Sequence, residues 1–338
     1  MGVKLKDILA PKRISLEGMN GHRLAIDAFN TLYQFLTIIR KDGMPLMDSK
    51  GKVTSHISGL LYRTSKLVEA GIQPCYVFDG APPDFKLIRV EREKRKKAAE
   101  KKLREARESN DLDGIKLYSQ QSTRLEDYMI EDSKKLLTLM GVPWVQAPSE
   151  GEAQATYMAS KGDAWAVASQ DFDALLFGAP KLVRNLTITG RRKIPRKDTY
   201  IEVTPELIEL ESVLSSLKLE REELVCLGIL VGTDYNPGGI KGIGPKKALD
   251  LVKEKGRKAL DDVAWMDNWP DRDMLVQFFM EPPHTDDYEL EWCDPDPEGA
   301  KEFLVDGHDF LEERVNKVFN KLKAERKKGR QEHLSQWF

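Results

Sequence analysis

The chain has 338 residues, with 53 Lys and Arg against 55 Asp and Glu, and a formal net charge of −2. That length fits one large domain or two ordinary ones, and a hydrophobic share of 41% excludes wholesale disorder. Three scattered cysteines outside any CxxC pattern and five dispersed histidines offer neither a disulfide framework nor a zinc site, and no apolar run is long enough to span a bilayer.

Along the chain, the opening Met-Gly-Val-Lys-Leu-Lys lacks a signal-peptide core, and Lys6 stands where myristoylation at Gly2 would want Ser or Thr. Together with reduced cysteines this predicts an intracellular chain. Short apolar runs ending in turns or acids predict buried strands over 23–26, 74–78, 142–145, 164–168 and 181–186. Helical patterns fill the gaps at 28–40, 57–70, 130–140, 152–161 and 173–177. Strands alternating with helices predict an α/β fold with a mainly parallel central sheet flanked by helices. Cys75 and Cys226 lie in apolar runs and are expected in the core, as are Trp144 and Trp165.

The stretch 85–129 breaks the pattern. Residues 86–104 hold ten Lys or Arg against three Glu, with few large apolar side chains. This predicts one or two long helices carried outside the sheet domain, the plainer alternative being a solvated charged face. Beyond residue 203 helices are expected at 205–214, 222–231, 246–255, 271–279 and 309–326. Between the last two, residues 281–298 carry eight acids and no Lys or Arg, and read as a solvated loop. The last dozen residues turn from basic to polar to aromatic and predict a flexible tail over 326–338.

The placement of acids is the most informative feature. Asp27 follows Leu24-Ala25-Ile26, Asp79 follows Tyr76-Val77-Phe78, and Asp171 and Asp173 follow the run ending at Ala168. In a parallel sheet these strand ends share one edge, where ligand crevices form. Glu150 and Glu152 begin the next helix near that edge, and Asp234 follows the apolar helix at 222–231. Singly, Asp27 would serve as a helix cap, and Glu150 and Glu152 would suit any helix N-terminus. Seven carboxylates converging on one edge repel unless cations lie between them, and hard oxygen donors without His or Cys select Mg²⁺ or Mn²⁺. Two such ions about 4 Å apart suit hydrolysis of a phosphodiester. A second motif, Gly242-Ile243-Gly244-Pro245-Lys246-Lys247, opens a helix after a glycine-rich turn; free N–H groups and two lysines there attract phosphate without reading bases.

Taken together, six runs resemble the structure-specific 5′ nucleases, most closely the archaeal flap endonucleases. They are Leu24-Ala25-Ile26-Asp27-Ala28, Val77-Phe78-Asp79-Gly80, Ala147-Pro148-Ser149-Glu150-Gly151-Glu152-Ala153, Ser169-Gln170-Asp171-Phe172-Asp173, Gly232-Thr233-Asp234-Tyr235 and Gly242-Ile243-Gly244-Pro245. The resemblance implies a single nuclease domain over 1–325, with an N-region at about 1–98 and an I-region at about 116–258. It implies that Asp27, Asp79, Glu150 and Glu152 serve one Mg²⁺ and Asp171, Asp173 and Asp234 a second. The charged stretch at about 85–129 would be a helical arch admitting a single-stranded 5′ flap. A helix–two-turn–helix at about 227–255 would grip duplex DNA through Gly242, Gly244, Lys246 and Lys247, with K⁺ held near Gly238, Ile240 and Ile243. Gly2 would lie near the active site. Lys86 matches the family lysine that places the scissile phosphate, but Glu93 occupies the position of the family arginine, leaving Arg92 or Lys94 as neighbours able to replace it.

The terminal Gln331-Glu332-His333-Leu334-Ser335-Gln336-Trp337-Phe338 resembles a sliding-clamp-binding peptide, in which Gln331 anchors while Leu334, Trp337 and Phe338 fill an apolar pocket. The expected function is therefore a Mg²⁺-dependent flap endonuclease with 5′-3′ exonuclease activity, acting in Okazaki fragment maturation and repair. It would be monomeric alone, without membrane attachment, and cytoplasmic if archaeal or nuclear if eukaryotic. Rival readings are a related nuclease preferring bubbles or recombination junctions, a non-catalytic junction-binding clamp partner, and a small-molecule phosphohydrolase.

Overall fold

A computed structural model describes residues 2–85, 88–109, 111–121, 123–193 and 199–335. Strands β1 (Lys12–Arg13) and β2 (Arg23–Asp27) lead into helix α1 (Ala28–Ile38), a small hairpin of β3 (Arg40–Lys41) and β4 (Met44–Pro45), helix α2 (Ser55–Glu69) and β5 (Gln73–Phe78). Helices α3 (Ile88–Glu108) and α4 (Leu112–Gln121) pack on each other before α5 (Asp127–Leu139) leads back to the sheet. There follow β6 (Trp144–Gln146), α6 (Gly151–Lys161), β7 (Ala166–Ala168), α7 (Asp173–Phe177) and β8 (Lys181–Arg184). A second hairpin, β9 (Gly190–Lys193) with β10 (Tyr200–Val203), precedes β11 (Glu206–Glu209). The remainder is helical: α8 (Leu210–Leu217), α9 (Arg221–Val231), α10 (Pro245–Lys255), α11 (Arg272–Met280), α12 (Pro297–Ala300) and α13 (Glu312–Ser335).

The main sheet runs β1-β11-β8-β7-β2-β5-β6. From β8 to β6 every pairing is parallel, while β11 and β1 add an antiparallel margin. Ile26 stands level with Tyr76 on β5 and Ala168 on β7, so the C-terminal ends of these three strands lie side by side. The chain moves from β2 to β5 on one side and later to β7 on the other, which opens a crevice at the end of β2.

Alternation along the strands divides the core between the two faces. Leu24, Ile26, Tyr76 and Phe78 pack under α1, α2, α5 and α13. Ala25, Cys75, Val77 and Val167 pack under α6, α7 and α9. Cys75 and Cys226 are buried and unpaired, as expected, whereas Trp144 and Trp165 are only half-buried. Each indole instead covers an edge: Trp165 stacks on His22 at 4.4 Å, and Trp144 meets Phe78 edge-on at 6.0 Å. Among the described residues no helix is long and apolar enough to cross a membrane.

Three further expectations change, the first being that the helix foreseen at 309–326 runs as α13 to Ser335, through most of the stretch expected as a flexible tail. The helix foreseen at 205–214 begins as a strand, because Glu206–Glu209 pairs with β8 and Glu206 meets Arg184 at 3.1 Å; only then does α8 start. The acidic stretch after α11 is no free loop. Gln154, fully buried on α6, donates to the Thr285 carbonyl (2.9 Å) and accepts the Thr285 N–H (2.8 Å). Trp292 Nε1 then donates to Pro74 O, the Cys293 N–H to Gly141 O and the Asp296 N–H to Leu139 O. The stretch is a strap laid across the N-terminal ends of the parallel strands.

The base of the α3–α4 pair is tied to the body at two points. Phe85 packs against Tyr235 and Phe278, with ring centroids 5.5 and 5.3 Å away. Arg40 donates to Ser119 Oγ (2.9 Å), Ser119 O (3.1 Å) and Thr123 Oγ1 (3.0 Å), joining the end of α1 to α4.

Candidate active site

All seven acids lie around the crevice, and six of them are tied to a neighbouring element by a hydrogen bond. Asp27 closes β2 and caps α1, its Oδ1 accepting the Asn30 N–H at 3.0 Å, while Oδ2 faces Ser169 Oγ at 3.2 Å. Asp79 follows β5 and accepts the Gly151 N–H at the start of α6 (2.8 Å). Glu152, one residue further along α6, accepts the Ser169 hydroxyl at 2.6 Å. Asp171 Oδ2 accepts from Asn30 Nδ2 (3.1 Å), and Asp173 Oδ1 accepts the Val3 N–H (2.7 Å). Glu150 accepts a hydrogen bond from Tyr235, which stands next to Asp234 after α9. Capping and clustering are thus compatible: a chain N–H fixes one oxygen and aims the carboxylate.

The electrostatics show how closely the acids crowd. Burial, then Asp79 and Asp171, push the Asp27 carboxyl up to about 8. Burial, then Asp234 and Asp171, raise Asp173 to about 7. Glu152 is held well above the usual carboxylate range by burial and by Asp27, Asp173 and Asp171. The buried Tyr235 hydroxyl is raised by desolvation first and then by Glu150 and Asp173. Asp27 and Glu152 make no ion pair with Lys or Arg among the described residues.

Such a set fits a hard divalent cation, because every donor is a carboxylate oxygen and positive charge would relieve the mutual repulsion. As they stand, no three His, Cys, Asp or Glu side chains among the described residues are arranged to hold one ion. Ser169 sits between Asp27 and Glu152, and Asn30, Val3 and Gly151 hold other acids on their own hydrogen bonds.

Gly2 lies where foreseen, since a Cβ added there would press on the Asp173 carboxylate. Between α9 and α10 the chain makes two tight turns. The first is knotted by Asn236, which accepts from Thr233 N and Oγ1 and donates to Ile229 O (2.7 Å). Gly238 and Gly242 carry positive φ, the Ile240 N–H reaches Leu230 O, and the Ile243 N–H closes on Ile240 O. Gly244 then caps α10, Pro245 occupies its first turn, and Lys246 and Lys247 are exposed beside it. Lys86, Trp337 and Phe338 lie outside the described residues. Arg92 is on α3, and Gln331 and Leu334 are on α13, by backbone only.

Sequence reasoning did not find Ser169, Asn30 or Tyr235 as partners of the acids. Ser169 and Tyr235 each stand within two residues of a foreseen acid, a weak signal for a supporting role.

A parallel sheet with a buried acid cluster at its switch point, flanked by a helical pair and a glycine-opened helix start, is an arrangement that suits a nuclease of the XPG class. Family models agree: the XPG N-terminal domain matches residues 1–102 and the XPG I-region residues 141–234. Flap endonuclease 1 of Pyrococcus furiosus is 57% identical over all of this chain and 99% of its own length. The solved flap endonuclease-1 of Methanococcus jannaschii superposes with a TM-score of 0.76 at 45% identity, covering 96% of this chain and 98% of that one. The chain belongs to the flap endonuclease family, and its activity is that of a structure-specific DNA nuclease. At the level of fold alone, it also matches the catalytic core of Rad2 solved with a DNA substrate (TM-score 0.66, 23% identity, 94% of this chain and 97% of that one).

Proposed function

We propose that the chain hydrolyses phosphodiesters near the base of 5′ flaps in branched DNA, with accompanying 5′-3′ exonuclease activity, during replication and repair. The observation that carries the site is the set of buried, mutually repelling carboxylates at the end of β2. Asp27, Asp79, Glu150 and Glu152 would hold one divalent ion and Asp171, Asp173 and Asp234 another. Mg²⁺, or Mn²⁺ in its place, would supply charge for the scissile phosphate and acidify the attacking water.

The chain's own groups do the rest. Lys86 and Arg92 would contact the scissile phosphate as the flap passes the α3–α4 pair. Gly242 and Gly244 offer backbone N–H groups, and Lys246 and Lys247 charge, to the duplex phosphates. The carbonyls of Gly238, Ile240 and Ile243 would hold K⁺. Gln331, Leu334, Trp337 and Phe338 would engage a sliding clamp, and the chain would act alone as a monomer in the cytoplasm.

A labelled 5′-flap duplex incubated with Mg²⁺ or EDTA and sized on a gel tests the activity. Asp171→Ala or Asp173→Ala should slow cutting by roughly a thousandfold or more while flap binding persists; wild-type turnover would refute the ligand assignment. Deleting residues 331–338 should remove stimulation by the clamp, and undiminished stimulation would overturn the peptide's role.

A further inference from the structure

Ser169 stands immediately after β7, nearly buried, with its Oγ 2.6 Å from Glu152 Oε1 and 3.2 Å from Asp27 Oδ2, while the Asp171 N–H points at it from 3.2 Å. A hydroxyl has one proton and two lone pairs. The Asp171 amide takes one lone pair, and the proton can serve only one carboxylate at a time. The shorter distance gives it to Glu152. Asp27 Oδ2 then faces oxygen lone pairs, an arrangement that favours a cation at that oxygen. The serine therefore touches three of the seven acid residues and keeps Asp27 and Glu152 a fixed distance apart, with no charge of its own.

We propose that Ser169 is a positioning residue that sets the affinity of the carboxylate cluster for a divalent cation, orienting Asp27 and Glu152 through one hydroxyl and steadying the Asp171 loop through its amide. This rests on Asp27 and Glu152 being cation ligands. Groups that orient metal-binding side chains commonly change affinity by roughly 10- to 100-fold when removed.

The test uses the full chain. Mn²⁺ binding is measured by calorimetry without DNA, and flap cutting is measured across a Mg²⁺ titration, for Ser169→Ala, Ser169→Cys, Ser169→Thr and Asp27→Asn, each checked for folding by its melting temperature. Ser169→Ala should weaken Mn²⁺ binding and raise the half-saturating Mg²⁺ concentration, each by roughly 10- to 100-fold, with the maximal rate recovered at high Mg²⁺. Ser169→Thr, which keeps the hydroxyl, should restore both. Ser169→Cys, similar in size but a weak donor, should fall between and replaces the alanine variant if that fails to fold. If Asp27→Asn weakens Mn²⁺ binding but the serine variants do not, Ser169 has no such role. If Asp27→Asn binds Mn²⁺ as the wild type does, the ligand reading itself fails, and the proposal with it. A slow Ser169→Ala with unchanged metal affinity would likewise overturn it.

Discussion

At the level of single residues, the buried acids make stability depend on pH in an unusual direction. Asp27 is raised to about 8 and Asp173 to about 7, from an ordinary 3.8, so the folded chain binds more protons than the unfolded one. Stability must then fall as pH rises through the window from about 4 to about 8, the reverse of a salt-bridged aspartate. In EDTA the melting temperature should drop by several degrees between pH 5 and pH 8. Added Mg²⁺ should raise it more at pH 8 than at pH 5, as calorimetry would show; a flat metal-free profile would mean that the acids are not forced together. The aspartates were legible because they follow apolar runs that read as buried strands or a buried helix, and Glu150 and Glu152 because they open the helix after one such strand. Their supports were not, because Asn30, Ser169 and Tyr235 are ordinary residue types whose meaning comes from partners far away in the chain.

At the level of elements, local pattern succeeded where burial is periodic and failed where pairing is remote. Asp173–Phe177 is the helix foreseen to the residue, and the parallel strands agree within two or three positions. Glu206–Glu209 reads equally well as a helical turn, and its partners β8 and β1, with the ion pair to Arg184, make it a strand. Likewise α13 continues to Ser335, past the foreseen end at 326, through strong helix formers such as Lys327, Lys328, Arg330 and Gln331. The acidic strap was opaque because eight carboxylates suggest solvent, while its attachments run through backbone groups, indoles and one buried amide. Gln154→Ala would strand both the N–H and the carbonyl of Thr285, at a cost of about 1–3 kcal/mol. Urea denaturation should show that loss, and hydrogen exchange should rise selectively over 281–296; an unchanged midpoint would mean that the strap is held elsewhere.

Over the whole molecule, a net charge near zero conceals a polar arrangement. Exposed Asp286, Asp287, Glu289 and Glu291 lie on the strap, whereas exposed Lys246 and Lys247 begin α10, just after the two turns that follow Asp234. This separation orients the chain toward a polyanion before contact. Binding to flap DNA should weaken steeply with salt. The double variant Lys246→Ala, Lys247→Ala should flatten the plot of log affinity against log salt by about 1.8 units if both lysines meet phosphate, at about 0.9 per contact. An unaltered slope, measured by fluorescence anisotropy, would place the duplex elsewhere.

The crevice at the end of β2 is assembled from Asp27 near the start of the chain and Asp234 well beyond its middle, with the others in between. A ribosome must therefore deliver most of the polypeptide before the acids can come together. A chain stopped short of Asp234 carries only part of the acid cluster, so the order of synthesis sets the moment at which the crevice is complete.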